Sequence, residues 1–322
     1  MYDVTAIGEL LIDFAPVSMD GDGYPTLAAK PGGAPGNYLA ALAAYGMKTA
    51  MISKVGDDAF GEKLIGTMQK AGIDTKGIVR DGSAFTTLAF VTLDASGNRS
   101  FSFARKPGAD TLLRFDEIDL SLIEEAKVFH FGSLSLTAEP IREATQKSVS
   151  YAKDLGKIIT FDPNLRLPLW DSQEEAKKQI LWSLGQADIV KISDDEVEFL
   201  WGCDEREGSD ILLRHFGVKL AMVTLGPQGC ILQNKNGHVF VPCPQTDTID
   251  TTGAGDIFGG SAVSRIMKLD KPLDVLTVGE LREIATFASY AASFSTQKPG
   301  GIPSIPQEFE ILEAMNRGRR RF

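Results

Sequence analysis

The sequence of 322 residues predicts an α/β fold in which helices cover both faces of a doubly wound, mostly parallel sheet. Two observations favour this class. Short apolar runs typical of buried strands alternate with helical patterns along most of the chain. One region, "TTLAFVTLDASGNRSFSFARK", instead contains two extended runs with no helix between them, which predicts a hairpin. We therefore expect one large sheet with a smaller β-structure beside it.

The strands of the large sheet are expected at "VTAIGE", "TAMISKV", "VFHFGSL", "KIITFDP", "DIVKIS" and "LAMVTLG". Helical patterns lie between them at "NYLAALAAYG", "DAFGEKLIGTMQKAG" and "AEPIREATQKSVSYAKDLG". Gly46, Gly72 and Gly156 follow these patterns, where a left-handed residue commonly ends a helix. Because each helix carries the chain back across the sheet, successive strands should run parallel.

The predicted hairpin around "ASGN" is too small to be stable alone. It therefore forms either an edge of the main sheet or a small lid. With "FAPVSMDGDGYPTLAAK" as a second non-helical stretch, it can build a lid of roughly four strands, with segments near residues 12–30 and 84–106. Because side chains alternate along a strand, one face of the hairpin should carry Arg99, Phe101, Phe103 and Arg105.

Composition excludes several classes of partner. The net charge is −10, and a protein that neutralises nucleic-acid phosphates needs a basic face, so no nucleic-acid partner is expected. No stretch approaches the roughly 18 uncharged apolar residues of a membrane span, so no membrane partner is expected either. One basic cluster is interpreted as a solvated chain end, and it contains Arg317, Arg319, Arg320 and Arg321.

A cytoplasmic location is expected from two further features. Cys203, Cys230 and Cys243 lie far apart, and an odd number of widely spaced cysteines suggests a reducing compartment. The first residues, "MYDVTAIGELLIDFAP", carry acidic residues within the apolar run, unlike the uncharged core of a signal peptide.

The string "DTTGAGDIFGG" predicts an anion site. Gly253, Ala254 and Gly255 let backbone N–H groups point into one space, and the residues that follow continue as a helix. Backbone donors and the positive end of a helix suit a phosphate or a developing negative charge. Asp256 would face this site and could take a proton from a hydroxyl that attacks a phosphoryl group, which is kinase chemistry. The alternative is a simple turn, with Asp256 favoured only by the helix N-terminus.

A second glycine-rich string, "PGGAPGNYLAALAAYG", suggests a polyol site. Gly32 and Gly33 allow a ligand to approach the backbone, and Asn37 can both donate and accept hydrogen bonds. Asp13, at the end of an apolar strand, could add a carboxylate that bonds hydroxyl groups. The alternatives are that Asn37 is the N-cap of the following helix and that Asp13 is a satisfied buried acid.

The common nucleotide motifs are absent from the sequence. The nearest match to a P-loop, "GDDAFGEK", has Glu62 where the motif needs lysine, and no GxGxxG is present. No HRD or DFG string appears, which excludes the protein-kinase set.

These residues resemble the PfkB family of carbohydrate kinases, which have the ribokinase-like fold, and most closely its bacterial fructokinases. The first family signature is matched within Gly32–Gly56 and departs only at Leu39, where a small residue is usual. The second is matched over Asp250–Val263, with Ser261 in place of alanine or glycine. The resemblance covers essentially the whole chain, which implies one kinase domain over residues 1–322.

The resemblance implies that Asp256 is the catalytic base and that Gly253, Ala254 and Gly255 form the anion hole. With an ordinary pKa of about 3.9, Asp256 would be a weak base, which a loose phosphoryl transition state tolerates. The implied sugar ligands are Asp13, Gly32, Gly33 and Asn37, with Phe101, Phe103 and Arg105 as lid residues over the sugar. The segment "DPNLR" would contribute Asn164 and Arg166, facing the substrate or the transferring phosphate.

The resemblance also implies ATP, Mg²⁺ and K⁺ as cofactors. The nucleotide side would contain Lys191, Ser193, Thr224, Gly226, Gly229 and Ala288. "KISDDEVEF" aligns with the NxxE motif linked indirectly to Mg²⁺, with Ser193 in place of asparagine and Glu196 retained. The alternative for Glu196 is an exposed helix acid. The implied K⁺ ligands are Asp250, Thr252, Ser295, Lys298, Gly300 and Ser304.

The expected activity is ATP-dependent phosphorylation of D-fructose on a hydroxymethyl group, C6 or C1. Kinases of 2-keto-3-deoxygluconate or ribose share the same signatures and remain alternatives within the class. A catalytically silent regulator that binds sugar or nucleotide is an alternative from another class, and ADP release with and without fructose distinguishes it. The resemblance further implies a homodimer that pairs through the lid.

Overall fold

The computed structural model describes residues 1–93 and 99–319, and the side chains of all of these except 93, 99–101, 318 and 319. The "ASGN" turn and the tail residues Arg320 and Arg321 lie outside the described residues. The strands are β1 (Tyr2–Ile7), β2 (Leu11–Met19), β3 (Pro25–Gly32), β4 (Thr49–Gly56), β5 (Ile73–Asp81), β6 (Leu88–Leu93), β7 (Arg99–Ala104), β8 (Ala126–Gly132), β9 (Ile158–Asp162), β10 (Ile189–Ser193), β11 (Leu220–Thr224), β12 (Gly229–Asn234) and β13 (Gly237–Pro242).

The helices lie between these strands and after the last of them. They are α1 (Ala34–Ala44), α2 (Ala59–Lys70), α3 (Ser121–Glu124), α4 (Ile141–Asp154), α5 (Gln173–Leu184), α6 (Asp194–Trp201), α7 (Glu205–Phe216), α8 (Ala254–Leu269), α9 (Val278–Ser295) and α10 (Glu308–Arg319). Gly46, Gly72 and Gly156 follow α1, α2 and α4 with φ of 88°, 81° and 70°, so the predicted left-handed ends are confirmed. Among the described residues, none of the helices combines the length and apolar character needed to cross a bilayer.

The large sheet contains nine strands of the described chain, in the order β13-β12-β11-β10-β9-β8-β1-β4-β5. From β11 to β5 every neighbouring pair is parallel, whereas β12 and β13 run antiparallel at one edge. The predicted mostly parallel α/β sheet is therefore confirmed. Because parallel strands end at the same edge, the residues after β9, β10 and β11 meet at the carboxyl edge of this sheet.

Two hydrophobic clusters cover the two faces of the large sheet. In β11, Leu220 and Met222 belong to one cluster, while Ala221 and Val223 belong to the other, as the alternation of side chains along a strand requires. The first cluster packs against α1, α8 and α9, and the second packs against α4, α5 and α7. Strands buried on both faces read as continuous apolar runs, which is why they could be recognised from the sequence.

A separate small sheet has the order β3-β2-β6-β7. β2 pairs with β3 antiparallel and with β6 parallel, and β6 pairs with β7 antiparallel. The predicted hairpin thus joins a second sheet and not the edge of the large one. One anchor is Phe14 on β2, which stacks on Phe90 at 5.2 Å and meets the edge of Phe60 on α2 at 5.7 Å between ring centroids.

Candidate active site

The first turn of α8 carries the predicted anion hole. Its N-cap is Gly253 with φ of 76°, and a Cβ there would lie 3.0 Å from the Cα of Gly301 and 3.1 Å from Nδ2 of Asn37. Glycine readily adopts this left-handed backbone conformation, and its lack of a side chain avoids these two close contacts. Within the described residues no side chain caps α8, and the N–H of Ala254 donates to the carbonyl of Thr251 at 3.2 Å. The turn therefore presents an open helix N-terminus, which suits an anion.

Asp256 lies in the same turn and is 9% exposed. Its Oδ2 accepts a hydrogen bond of 2.9 Å from Nδ2 of Asn37. Burial raises the pKa of Asp256 to about 7, helped by the charge of Asp162 and opposed by Lys191, the Asn37 bond and Arg166. The expectation of an ordinary pKa near 3.9 is therefore wrong, because desolvation disfavours the ionised form. A base with a pKa near neutrality accepts a proton far better than an ordinary carboxylate.

Asn37 lines a cavity and is not a helix cap. It lies within α1, whose N-cap is Gly33 with φ of 115°, so the N-cap alternative is wrong. The start of α1 is instead held by Glu9, whose Oε1 accepts the N–H of Ala34 at 2.9 Å. Burial raises the pKa of Glu9 to about 7. Glu9 is not among the predicted site residues, although an acid inside the apolar run "AIGELLI" was the available signal.

One cavity of about 280 Å³ lies between Asp256 and the small sheet. Burial raises the pKa of Asp13, which lines this cavity, to about 6, while Arg166 opposes the shift. Gly32 lies beneath Asp13, and a side chain at this position would overlap the Asp13 carboxylate. The predicted sugar-site residues that line the cavity are Asp13, Gly33, Asn37, Phe103, Asn164 and Arg166.

Arg105 and Phe101 were predicted to lie over the sugar as lid residues. The guanidinium of Arg105 is buried and does not line the sugar-side cavity, since it pairs with Asp110 at 2.7 Å and donates to Thr137 at 2.8 Å and to the carbonyl of Leu134 at 3.0 Å. A contact between Arg105 and the sugar is therefore not supported by the geometry. The side chain of Phe101 lies outside the described part of the chain.

A second cavity of about 390 Å³ lies on the other side of Asp256, along the carboxyl ends of β10 and β11. Five predicted nucleotide-side residues line it, namely Lys191, Ser193, Thr224, Gly226 and Gly229. Ala288 does not line the cavity, because it is fully buried in the hydrophobic core, and α9 turns Ser289 and Ala292 toward the cavity instead. Phe258 and Cys243 also line this cavity and were not predicted from the sequence.

The start of α6 brings acidic groups to this second cavity. Glu196 is 8% exposed, so the alternative of an exposed helix acid is wrong. Its carboxylate accepts the N–H of Ser193 at 2.9 Å and of Leu165 at 2.8 Å, while Ser193 Oγ accepts the N–H of Glu196 at 3.2 Å, a reciprocal capping box. Asp194 and Asp195 line the cavity beside it. Carboxylate oxygens of this kind suit Mg²⁺ and its bound water.

The loop before α8 is tied to the segment after α9. Oδ1 of Asp250 accepts the N–H and the hydroxyl of Thr252 at 3.0 Å and 2.6 Å, and Oδ2 accepts the N–H of Gly300 at 2.9 Å. The N–H groups of Ile249 and Asp250 both donate to the carbonyl of Thr296. In the part of the chain that the structure describes, no group of three or more His, Cys, Asp or Glu side chains could hold a metal ion.

The two cavities meet at the first turn of α8. Both are lined by Asn164, Arg166, Thr251, Gly253 and Asp256. Asn164 has φ of 41°, a backbone conformation that asparagine tolerates better than most residues and that often marks functional sites. A buried carboxyl group beside an open helix N-terminus thus lies at the point where a ligand in one cavity can reach a ligand in the other.

Comparison with known proteins agrees with this arrangement. The family model described as "pfkB family carbohydrate kinase" matches residues 1–308. The chain belongs to this family. Among curated relatives, fructokinase-1 of Zea mays is 43% identical over 318 residues, which cover 98% of each chain.

Two solved structures of the same fold carry ligands. A fructokinase double mutant from Vibrio cholerae O395, with fructose, ADP and potassium ion, superposes with a TM-score of 0.85 at 28% identity, covering 97% of this chain and 98% of that one. A putative ribokinase II from E. coli, with ATP and Mg²⁺, gives a TM-score of 0.86 at 27% identity, covering 98% of this chain and 100% of that one. The large parallel sheet with its small second sheet is the ribokinase-like fold, and the protein is a carbohydrate kinase.

Proposed function

We propose that this pfkB-family kinase is an ATP-dependent fructokinase, which transfers the γ-phosphoryl group of ATP to a hydroxymethyl group of D-fructose. The observation that carries the proposal is the position of Asp256, buried beside an open helix N-terminus where two cavities meet. Fructokinase relatives with near-complete coverage support fructose over 2-keto-3-deoxygluconate or ribose. A silent regulator is not favoured, because the base and the anion hole are both present.

In the proposed reaction Asp256 removes the proton from the sugar hydroxyl. The freed oxygen bonds to the γ-phosphorus, and the bond from that phosphorus to the oxygen bridging to the β-phosphate breaks, which releases ADP. The first turn of α8, with Gly253, Ala254 and Gly255, stabilises the charge on the transferring group through its backbone N–H groups and helix dipole. Asp256 then passes its proton to solvent.

The sugar occupies the cavity of about 280 Å³ in this proposal. Asp13 and Asn37 bond its hydroxyls, with Gly32 and Gly33 allowing close approach. Phe103 covers the apolar side of the sugar, so that water is excluded and does not compete as the acceptor. Asn164 and Arg166, which line both cavities, contact the substrate or the transferring phosphate.

The nucleotide occupies the cavity of about 390 Å³, whose Thr224, Gly226 and Gly229 form its phosphate and ribose loop. Gly226 and Gly229 have φ of 52° and 132°, backbone conformations that favour glycine. Mg²⁺ bound near Glu196 would neutralise part of the negative charge of the phosphates. Glu196 is proposed to act on it indirectly, by ordering its water.

K⁺ is proposed to bind where the Asp250 loop meets the segment after α9. Asp250, Thr252 and Gly300 already share hydrogen bonds there. Carbonyl and hydroxyl oxygens from the same loops would be the other K⁺ ligands. The remaining residues proposed to supply them are Ser295, Lys298 and Ser304. A cation at this point would fix the loop that leads into the anion hole.

We also propose that residues 1–322 act as one kinase domain, with the small sheet as a lid and as the surface that pairs in a homodimer. Val17 and Met19 on β2 are 59% and 66% exposed, and Tyr24 is 70% exposed, so apolar area is available on this sheet. Met19→Asp should shift the dimer toward monomer in analytical ultracentrifugation. A wild-type protein that sediments as a monomer at every concentration would contradict the dimer.

The activity is tested with a panel of sugars in the presence of ATP and Mg²⁺. ADP release should be fastest with D-fructose, and the product should be a fructose phosphate whose phosphorylated carbon is read by NMR. A higher kcat/KM for 2-keto-3-deoxygluconate or ribose would overturn the fructose assignment while leaving the kinase class intact. ATP hydrolysis without any sugar dependence would contradict the sugar kinase itself.

A further inference from the structure

A buried ion pair lies directly beneath the first turn of α8. Lys191 is on β10 and Asp162 ends the neighbouring strand β9, and the parallel register sets the two side chains next to each other. The Nζ of Lys191 lies 2.9 Å and 3.1 Å from the two carboxylate oxygens of Asp162. Both side chains are about one-tenth exposed. Burying such a pair costs desolvation free energy, so its presence beneath α8 needs a physical explanation.

The α8 turn is shaped around this lysine. A Cβ at Gly255 would lie 3.0 Å from Nζ and 3.5 Å from Cε of Lys191. One turn later, a Cβ at Gly259 would lie 4.0 Å from Cδ of the same side chain. The contact at Gly259 is an ordinary one, whereas at Gly255 a side chain would crowd the ammonium group, which lies under the backbone of the anion hole.

Charged groups of both signs surround Asp256 and shift its pKa in opposite directions. Asp162 raises its pKa and Lys191 lowers it, with Arg166 as a further, smaller positive contribution. Glu196 on α6 faces Lys191, and His130 on β8 is kept neutral because burial lowers its pKa to about 3. The two members of the ion pair thus act on the base in opposite directions.

We propose that Lys191, held by Asp162, is a positioning residue that supports the α8 turn and supplies a fixed positive charge beneath the anion hole. This charge balances the negative charge that Asp256 and the transferring phosphoryl group bring into the same buried space. Lys191 acts through Asp256 and the turn, in addition to any contact it makes with the nucleotide. The inference rests on the proposed function, in which Asp256 is the base.

The test is the pH dependence of kcat/KM, whose acidic limb reports the ionisation of the base in the free enzyme. Lys191→Met removes the attractive charge, and the acidic limb should move to higher pH by on the order of one unit. Asp162→Asn removes the repulsive charge and keeps an acceptor for Lys191, so the limb should move to lower pH. The double variant should lie between the two single variants, and because it leaves no unpaired buried charge it remains informative if Lys191→Met fails to fold.

The matched control is Lys54, another buried strand lysine, which pairs with Glu117 at 2.7 Å and Asp81 at 3.3 Å, and whose side chain is 5% exposed. Lys54→Met should lower the melting temperature and leave the acidic limb in place. The inference is overturned if Lys191→Met and Asp162→Asn reduce the rate without moving the limb, or move it in the same direction. If fructose is not the substrate, the same profile is measured with whichever panel sugar is phosphorylated, so failure of the fructose assignment is distinguishable from failure of the inference.

Discussion

The two walls of the active site are built differently. The wall at the carboxyl edge of the large sheet holds charged groups that are buried and fixed by partners, with Asp256 bonded to Asn37 and Lys191 paired with Asp162. The wall formed by the small sheet carries Phe103 into the cavity and exposes apolar side chains on its outer part. We infer that chemistry depends on the first wall, where charges must be held in place, and that sugar recognition and water exclusion depend on the second.

The largest effect on activity is expected from Asp256→Asn, in the wall at the carboxyl edge of the large sheet. The change keeps the size of the side chain and its position beside Asn37 but removes the base, so kcat should fall on the order of 10²–10⁴-fold. The KM for fructose and the affinity for ATP should change little, because the cavities are unaltered. Steady-state kinetics and ATP titration check both expectations. A variant with near-normal kcat would show that another group is the base.

On the small sheet, Phe103→Ala should affect binding more than chemistry. The loss of apolar cover should raise the KM for fructose roughly tenfold, about 1.4 kcal/mol, and increase ATP hydrolysis in the absence of productive transfer. The matched control is Phe85→Ala, an aromatic residue that is 54% exposed and does not line the cavity. If Phe103→Ala lowered kcat and left KM unchanged, the inference that the small sheet serves sugar recognition and not chemistry would be wrong.

The loop that joins the two walls should respond to monovalent cations. The rate in K⁺ should exceed the rate in an otherwise equal Na⁺ buffer by a few fold, because a bound cation would order the segment from Asp250 to the anion hole. Asp250→Asn should reduce this difference, since it weakens the carboxylate that gathers Thr252 and Gly300. Equal rates of the wild-type protein in both buffers would count against the site.

The smallest effect concerns stability, and it follows from the sign of the Asp256 pKa shift. A carboxyl whose pKa is raised to about 7 in the folded state binds protons more readily there than in the unfolded chain, so its contribution to stability falls as pH rises from about 4 to 7. Asp256→Asn removes this dependence. Its melting temperature should therefore exceed that of the wild-type protein by more at pH 8 than at pH 5, by a few degrees in calorimetry. A constant difference would mean that the raised pKa is incorrect.

The sequence predicted the large sheet well because its strands are buried on both faces and separated by helices with clear periodicity. The two glycine-rich strings that it singled out lie together in the folded chain, where Asn37 of one donates to Asp256 of the other. The sequence predicted the contacts of long side chains less well. Arg105 could be placed on one face of a strand, yet nothing local showed that Asp110 would bind its guanidinium. Ala288 was assigned to the nucleotide side, but the rotation of α9 in the packed core turns its neighbours to the cavity.

By itself, the sequence determined the α/β class, the hairpin and the glycine turns, because local backbone preference and the spacing of apolar residues decide these features. That the hairpin joins a separate sheet was decided by the pairing of β6 with the distant strand β2. Tertiary structure decided the electrostatics. The pKa of Asp256 near 7, the burial of Glu196 and the Lys191–Asp162 pair all arise where distant segments exclude water from one another. Desolvation and charge pairing depend on which groups lie within a few ångströms in the folded chain, and linear sequence carries no direct measure of that distance.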